Sequence, residues 1–256
     1  MPLSTAQLKR TAKQMIRQSK PNVITVGAIY CILTIILSIL SSRLINSGFT
    51  DSKYQWFLSY LENGSMDQAF RVLRDMTPSG GAVAIYLLLE ASIAIVAVGF
   101  DIFLLRTIRG DSPSVGNLLD GFGFFWRILL INILIDLFVT LWGLLLIIPA
   151  IIASYSYSMA TYLLIDHPEY SVMDCIRESK RMMRGHKMEF FLLQLSFIGW
   201  ILLVQLSMLP GMWMLSALQL WTVPYISMTC VLYYEILRTG GVQPVLPGQD
   251  NVPPTM

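Results

Sequence analysis

The fold is decided by residues 124–165, which read FFWRILLINILIDLFVTLWGLLLIIPAIIASYSYSMATYLLI. This apolar stretch contains two charged side chains, Arg127 and Asp136, and it is too long for one membrane-spanning helix of about 20 residues. Pro149, near its middle, breaks helices because it lacks a backbone N–H and its ring clashes with the preceding turn. The stretch therefore predicts two spans joined in a tight hairpin.

Further apolar runs on both sides of this hairpin have the length of membrane spans. Charged residues make up 13% of the chain, compared with about 25% in soluble domains. We predict an all-α membrane helix bundle of about six transmembrane helices, with short amphipathic interfacial helices. The bundle forms one domain, residues 1–240, followed by a disordered cytoplasmic tail, residues 241–256. The predicted spans are 22–44, 82–105, 124–147, 150–166, 188–209 and 212–237.

Two segments outside these spans are predicted to form helices. Residues 4–19 place apolar and basic side chains on opposite helical faces and open with a capping box, Ser4 with Gln7. This pattern predicts a helix at the membrane interface. Residues 51–81 are polar and contain a turn signal at Asn63-Gly64, which predicts an extramembrane helical loop.

The distribution of Lys and Arg sets the predicted orientation, because cytoplasmic loops are enriched in these residues. Residues 51–81 carry few of them, so this loop is predicted to lie outside. Both termini are predicted to be cytoplasmic. The side with the termini carries the N-terminal cations and Arg106, Arg109, Arg127, Arg177, Lys180, Arg181, Arg184, Lys187 and Arg238.

The segment between the two predicted hairpins is a basic amphipathic helix. Ser171 with Asp174 predicts its N-terminal cap, and Gly185 predicts its C-terminal cap. We expect Val172, Ile176 and Met183 to turn toward the membrane or the bundle. The remaining face is a candidate surface for anionic lipid head groups or a cytoplasmic partner, at about 1 kcal/mol per cation. The alternative is a connector that obeys the positive-inside rule. The basic residues are Arg177, Lys180, Arg181, Arg184 and Lys187.

Polar side chains inside the predicted spans form a second candidate site. Glu90 and Asp101 share one face of the second span, and Asn132, Asp136 and Thr140 share one face of the third. Because an ionised acid in lipid is costly, Glu90 and Asp136 are expected to face the bundle interior. The acids either form a ladder along a polar path or are structural groups hydrogen-bonded to another helix.

Several classes of function have no motif in this sequence. The net charge of +2 is too small to indicate nucleic-acid binding. There is no phosphate-binding glycine loop, zinc spacing or nucleophile elbow, and His167 and His186 lie in the connector. We therefore expect no cofactor, no metal and no catalytic residue.

Several motifs together carry a resemblance to a known family. The segments that carry it, in chain order, are Leu8–Lys13, Leu141–Ile152, Tyr155-Ser156-Tyr157, Asp166-His167-Pro168, Ser179–Lys187 and Leu195–Trp200. They resemble an uncharacterised bacterial integral membrane protein family, domain of unknown function 975. This family is distantly similar to the membrane domain of some glycerophosphodiester phosphodiesterases. The resemblance implies a multi-pass protein of a Gram-positive cytoplasmic membrane, and it implies no activity.

The sequence leaves two main hypotheses for function. The first is a non-enzymatic membrane component with an assembly, processing or lipid-associated role, and its partners would be membrane lipids and a membrane or cytoplasmic protein. The alternative is a small transporter or ion-coupled carrier that uses Glu90, Asp136 and Asp101. An intramembrane enzyme is the weakest hypothesis, because no paired catalytic groups lie within the spans.

Overall fold

The computed structural model describes residues 4–45, 51–206 and 217–240. The regular structure in these residues is helical, so the predicted all-α fold is confirmed. The predicted tail after residue 240, the end of the fifth predicted span, the following proline turn and the start of the sixth predicted span lie outside the described residues.

The helices follow one another with short connections. A 3₁₀ helix, Val115–Phe124, precedes α6. The α-helices are α1 (Thr5–Gln18), α2 (Val23–Ile45), α3 (Asp51–Glu62), α4 (Met66–Met76), α5 (Gly80–Arg109), α6 (Phe125–Leu145), α7 (Ile147–Tyr157), α8 (Ala160–Asp166), α9 (Val172–Met182), α10 (Lys187–Leu195), α11 (Ile198–Gln205) and α12 (Gln219–Arg238).

Four helical stretches of the described chain are long and apolar enough to cross a membrane: Val23–Ile45, Gly80–Arg109, Val115–Leu145 and Ile147–Asp166. Helices α10 and α11 add a fifth if they act as one span, with a bend of 47° between them. Helix α12 occupies most of the sixth predicted span but is not among these stretches. The described residues therefore contain four or five candidate membrane spans, compared with the predicted six.

The chain divides into two compact units where one domain was predicted. One unit comprises Ile32–Ala94, and the other comprises the described residues up to Cys31 and from Ile95 onward. In the first unit, α3 packs against α4. Gly64 has a φ of +68° between these helices, a left-handed conformation that glycine adopts without strain. The predicted Asn63-Gly64 turn is confirmed.

The proline hairpin in the second unit breaks slightly before its proline. Helix α6 ends at Leu145, and Leu146 is extended, with φ −159° and ψ 142°. Helix α7 begins at Ile147 and packs back against α6. Pro149 lies in the first turn of α7, where a missing N–H costs no intrahelical hydrogen bond. The proline therefore starts the second helix of the hairpin.

A buried serine supports the break between α7 and α8. The hydroxyl of Ser179, on α9, donates to the carbonyl oxygen of Ser156 over 2.9 Å and accepts from the backbone N–H of Met159 over 3.1 Å. Unpaired backbone groups are costly to bury, and Ser179 is fully buried. One side chain thus satisfies both groups at the break and attaches α9 to the α7–α8 span.

Helix α1 buries its apolar face within the protein. Leu8, Ala12, Met15 and Ile16 are buried, and α1 packs against α12. The predicted capping box of Ser4 is present. Protein side chains cover this face, where the sequence predicted contact with the membrane interface.

Two glycines allow the 3₁₀ helix to approach α5 closely. A Cβ atom added to Gly121 would lie 2.2 Å from the carbonyl oxygen of Ile95, and one added to Gly99 would lie 2.1 Å from that of Leu118. Backbone oxygens cannot rotate away as side chains can. This contact therefore excludes any larger residue at either position.

We predict that Gly121→Ala lowers the stability of the protein by about 1–3 kcal/mol or more, because the added methyl group overlaps the α5 backbone. Gly123→Ala is the matched control, since its added Cβ has nothing within 4 Å. The measurement is the melting temperature of each detergent-solubilised protein. Equal melting temperatures for the two variants would contradict the close approach of the 3₁₀ helix to α5.

Candidate functional site

An arginine at the end of α5 binds two carboxylates from two other helices. Arg109 donates from Nη1 to Oδ1 of Asp166 over 2.8 Å and from Nη2 to Oδ2 over 2.7 Å. It also donates to Oε2 of Glu235, from Nη2 over 2.8 Å and from Nε over 3.2 Å. The bidentate geometry with Asp166 makes strong, directional hydrogen bonds. Arg109 thus joins the ends of α5, α8 and α12.

Two further side chains complete this group. Arg238 donates from Nε to Oε2 of Glu235 over 3.2 Å, and its Nη2 donates to Oε1 of the same carboxylate. Its Nε also lies 3.8 Å from Oδ2 of Asp166. The hydroxyl of Tyr234 donates to Oδ2 of Asp166 over 2.8 Å. We call Arg109, Asp166, Tyr234, Glu235 and Arg238 the Arg109 cluster.

The two acids of the Arg109 cluster are buried, while its two arginines reach the surface. The exposed fractions of the Asp166 and Glu235 side chains are 8% and 5%. Those of Arg109 and Arg238 are 27% and 40%. A buried charge requires a partner of opposite sign and satisfied hydrogen bonds. With two carboxylates and two guanidiniums, the cluster meets this requirement.

The loop after Asp166 is attached to the start of α6. Arg127 donates from Nη1 to the carbonyl oxygen of Pro168 over 2.6 Å, and its Nη2 donates to that of Tyr170. Within the loop, the ring of His167 stacks on that of Tyr170, with centroids 4.5 Å apart. These contacts fix the segment that leads into α9.

The basic helix has one buried and one exposed face. Val172, Cys175 and Ile176, and Met183 just beyond the helix end, are buried, so the predicted inward orientation of Val172, Ile176 and Met183 is confirmed. Met173 is exposed. Gly185 has a φ of +83° beyond the helix end, as its predicted capping role requires. Lys187 is half-buried. The exposed cations are Arg177, Lys180, Arg181 and Arg184.

Two of these exposed cations have acidic partners on the same helix. Nη1 of Arg177 lies 2.9 Å from Oδ1 of Asp174, and Nη2 of Arg181 lies 2.5 Å from Oε1 of Glu178. Lys180 and Arg184 form no ion pair with any residue that the structure describes. The face therefore keeps an excess of positive charge.

The predicted N-terminal cap of this helix is present. The side chain of Ser171 accepts from the backbone N–H of Asp174 over 3.2 Å. Its hydroxyl also lies 2.6 Å from Oδ2 of Asp174. The hydrogen bond from Ser171 holds the pKa of the Asp174 carboxyl below its usual range, so Asp174 remains ionised at neutral pH.

The polar residues of the second predicted span lie in protein surroundings. In the first unit, Glu90 is half-buried, and its Oε1 accepts a hydrogen bond from the hydroxyl of Ser41 over 3.0 Å. In the second unit, Asp101 is half-buried and lies within electrostatic range of Tyr30 and Tyr162. The hydrogen bond between Glu90 and Ser41 joins two helices, as the structural alternative for Glu90 requires.

The polar residues of the third predicted span do not all face the interior of the protein. Asn132 is half-buried and donates to the carbonyl oxygen of Ile128 on its own helix over 2.9 Å. Asp136 and Thr140 are exposed, so the prediction that Asp136 faces the bundle interior is wrong. The buried positions of α6 are Ile128 and Ile131, near its start, and Asp136 lies beyond them. Asp136 is therefore not in the packed interior of its own unit, as the predicted ladder of acids requires.

Among the described residues, no group of three His, Cys, Asp or Glu side chains is placed to hold a metal ion. Cys31, Cys175 and Cys230 form no disulfide bond with one another; the first two are buried and Cys230 is half-buried.

One family model matches part of this chain. The match covers residues 143–240, and the family is described as a protein of unknown function (DUF975). This part of the chain is similar to the DUF975 family. The DUF975-like part contains α9 and the Asp166, Glu235 and Arg238 members of the Arg109 cluster, whereas Arg109 precedes it. No curated protein and no solved structure matches the chain.

The Arg109 cluster was not predicted from the sequence. Arg109 and Arg238 entered only the predicted orientation of the helices, and no role was predicted for Asp166 or Glu235. A signal was present, because each acid lies in the last turn of a predicted span whose neighbours supply an arginine at the same end. Equal numbers of acids and arginines at one end of the spans indicate pairing.

We predict that Arg109→Met destabilises the protein by about 3–5 kcal/mol, because it leaves two buried carboxylates without their main partner. Arg106→Met is the matched control. Arg106 pairs with Asp120 over 3.3 Å, and both side chains are over 40% exposed, so its loss costs about 1 kcal/mol or less. The melting temperatures of the solubilised variants measure the difference. Similar losses for both variants would show that the Arg109 cluster is not a stabilising element.

Proposed function

We propose that this protein is a non-enzymatic, multi-pass membrane component whose basic face on α9 binds anionic phospholipid head groups. We define the α9 basic face as Arg177, Lys180, Arg181 and Arg184. One observation carries the proposal: Arg177, Lys180 and Arg181 are exposed on α9 and Arg184 in the turn after it, while the opposite face of α9 is buried in the protein. The packing holds the cations in a fixed direction.

The location that we propose is a bacterial cytoplasmic membrane, with both termini and the α9 basic face in the cytoplasm. The inner leaflet of such a membrane carries anionic lipids, and a cation near its surface contributes about 1 kcal/mol to binding. Lys180 and Arg184 contribute most to the general electrostatic attraction, because neither has a carboxylate partner among the described residues. A protein that binds the same face would compete with the lipid.

The carrier alternative receives less support from the geometry. It needs carboxylates along a shared polar path, but Asp136 is exposed and Asn132 is hydrogen-bonded to its own helix. The connector alternative explains the positive charge of α9 by topology alone. It predicts that the charge has no measurable effect on lipid affinity, which makes it testable.

We predict that Lys180→Gln combined with Arg184→Gln weakens binding of phosphatidylglycerol by about thirtyfold, which corresponds to about 2 kcal/mol for two cations. The full-length protein in neutral detergent is titrated with fluorescent phosphatidylglycerol in mixed micelles. Fluorescent phosphatidylcholine measures the affinity for a zwitterionic lipid. The wild-type affinity should also fall as salt is added, because salt screens exposed charges.

The matched control is Arg71→Gln combined with Arg74→Gln. These two cations are exposed on α4, in the loop that the sequence places on the opposite side of the membrane. This control should keep the wild-type affinity within about twofold. Equal affinity of the wild-type protein for the two lipids, or equal losses in both double variants, would reject the proposal.

A further inference from the structure

A cleft lies beside the α9 basic face. Its volume is about 350 Å³, at the low end of the range of about 300–1,000 Å³ for ligand pockets. Its walls come from α8, the following loop, α9 and the end of α12. The lining residues are Leu163, His167, Tyr170, Glu178, Arg181, Met182, Leu237 and Arg238.

The polar wall of this cleft has guanidinium groups from two different helices. Arg181 uses Nε and Nη2 to bind Glu178, and Arg238 uses Nε and Nη2 to bind Glu235. Within the described part of the chain, no hydrogen bond occupies Nη1 of either arginine. Arginine carries five N–H donors in a planar fork that matches phosphate oxygens. Each arginine is thus oriented by an acid and keeps donors available.

The apolar wall of the cleft continues into the helices. Leu163 belongs to the candidate span Ile147–Asp166, and Leu237 is in the last turn of α12. The cleft therefore has cationic donors beside the end of a membrane-spanning stretch. A ligand that carries an anionic group next to a hydrocarbon chain matches both walls. The volume fits the head group of such a ligand, with its chains outside the cleft.

We infer that this cleft binds the phosphodiester head group of an anionic phospholipid, held between Arg181 and Arg238. The inference rests on the proposed function and deepens it, because it assigns one specific site within a broadly basic surface. His167 and Tyr170 also line the cleft. The acyl chains lie along the ends of α8 and α12.

The test compares two arginines of α9 that differ in their relation to the cleft. The side chains of Arg177 and Arg181 are 74% and 75% exposed, and each pairs with an acid three residues earlier. Only Arg181 lines the cleft. Because charge-assisted hydrogen bonds are strong, Arg181→Gln should weaken phosphatidylglycerol binding about thirtyfold. Arg177→Gln should weaken phosphatidylglycerol binding by about fivefold or less, since this substitution removes only one cation's general electrostatic attraction to the lipid.

Two further measurements make the comparison specific. Arg181→Lys keeps the positive charge but loses the planar fork of N–H donors. Its affinity for phosphatidylglycerol should therefore lie between those of the wild-type protein and Arg181→Gln. Soluble glycerophosphoglycerol has the same phosphodiester without the hydrocarbon chains, and it should bind at least about a hundredfold more weakly than the lipid. All variants should melt close to the wild-type temperature, because both arginines are exposed.

The outcomes separate the cleft from the α9 basic face as a whole. Equal losses of lipid affinity for Arg177→Gln and Arg181→Gln would overturn the inference that the cleft binds lipid. They would leave the proposed function standing. If glycerophosphoglycerol bound as tightly as the lipid, the assignment of a lipid to the cleft would be overturned. If the wild-type protein did not distinguish phosphatidylglycerol from phosphatidylcholine, the proposed function and the cleft would both fail.

Discussion

The pairing of two buried carboxylates with two arginines is the constraint on which the second unit depends. Asp166 and Glu235 are almost fully buried, so their charges are tolerable only with Arg109 and Arg238 in contact. This requirement fixes the ends of α5, α8 and α12 relative to one another. The bidentate hydrogen bonds between Arg109 and Asp166 add a directional constraint to the hydrophobic packing of these helix ends.

The position of α9 follows from that arrangement. The loop after Asp166 is held by Arg127, and the break after α7 is completed by the buried Ser179. Together these contacts attach α9 to the α7–α8 span, and the cations of the α9 basic face remain exposed. A fixed array of cations loses less conformational entropy on meeting an anionic surface than a mobile one. The same packing creates the cleft lined by Arg181 and Arg238, in which we infer that a phosphate group binds.

The features predicted correctly from the sequence are local ones. The caps at Ser4, Ser171 and Gly185 involve residues a few positions apart, and Pro149 acts on its own helix. The Arg109 cluster was missed because its contacts join residues 57 and 126 positions apart. The error for Asp136 has a related cause. Helical periodicity shows which residues share a face, but it does not show which face of α6 other helices cover.

We propose above that the protein selects anionic lipids at the ends of its helices. Native mass spectrometry tests it most directly, with the wild-type protein released from nanodiscs that contain equal amounts of phosphatidylglycerol and phosphatidylcholine. We expect the protein to retain bound phosphatidylglycerol in clear excess. At least one phosphatidylglycerol molecule should stay bound at a collisional activation energy that removes phosphatidylcholine. Retention of the two lipids in equal amounts would contradict it.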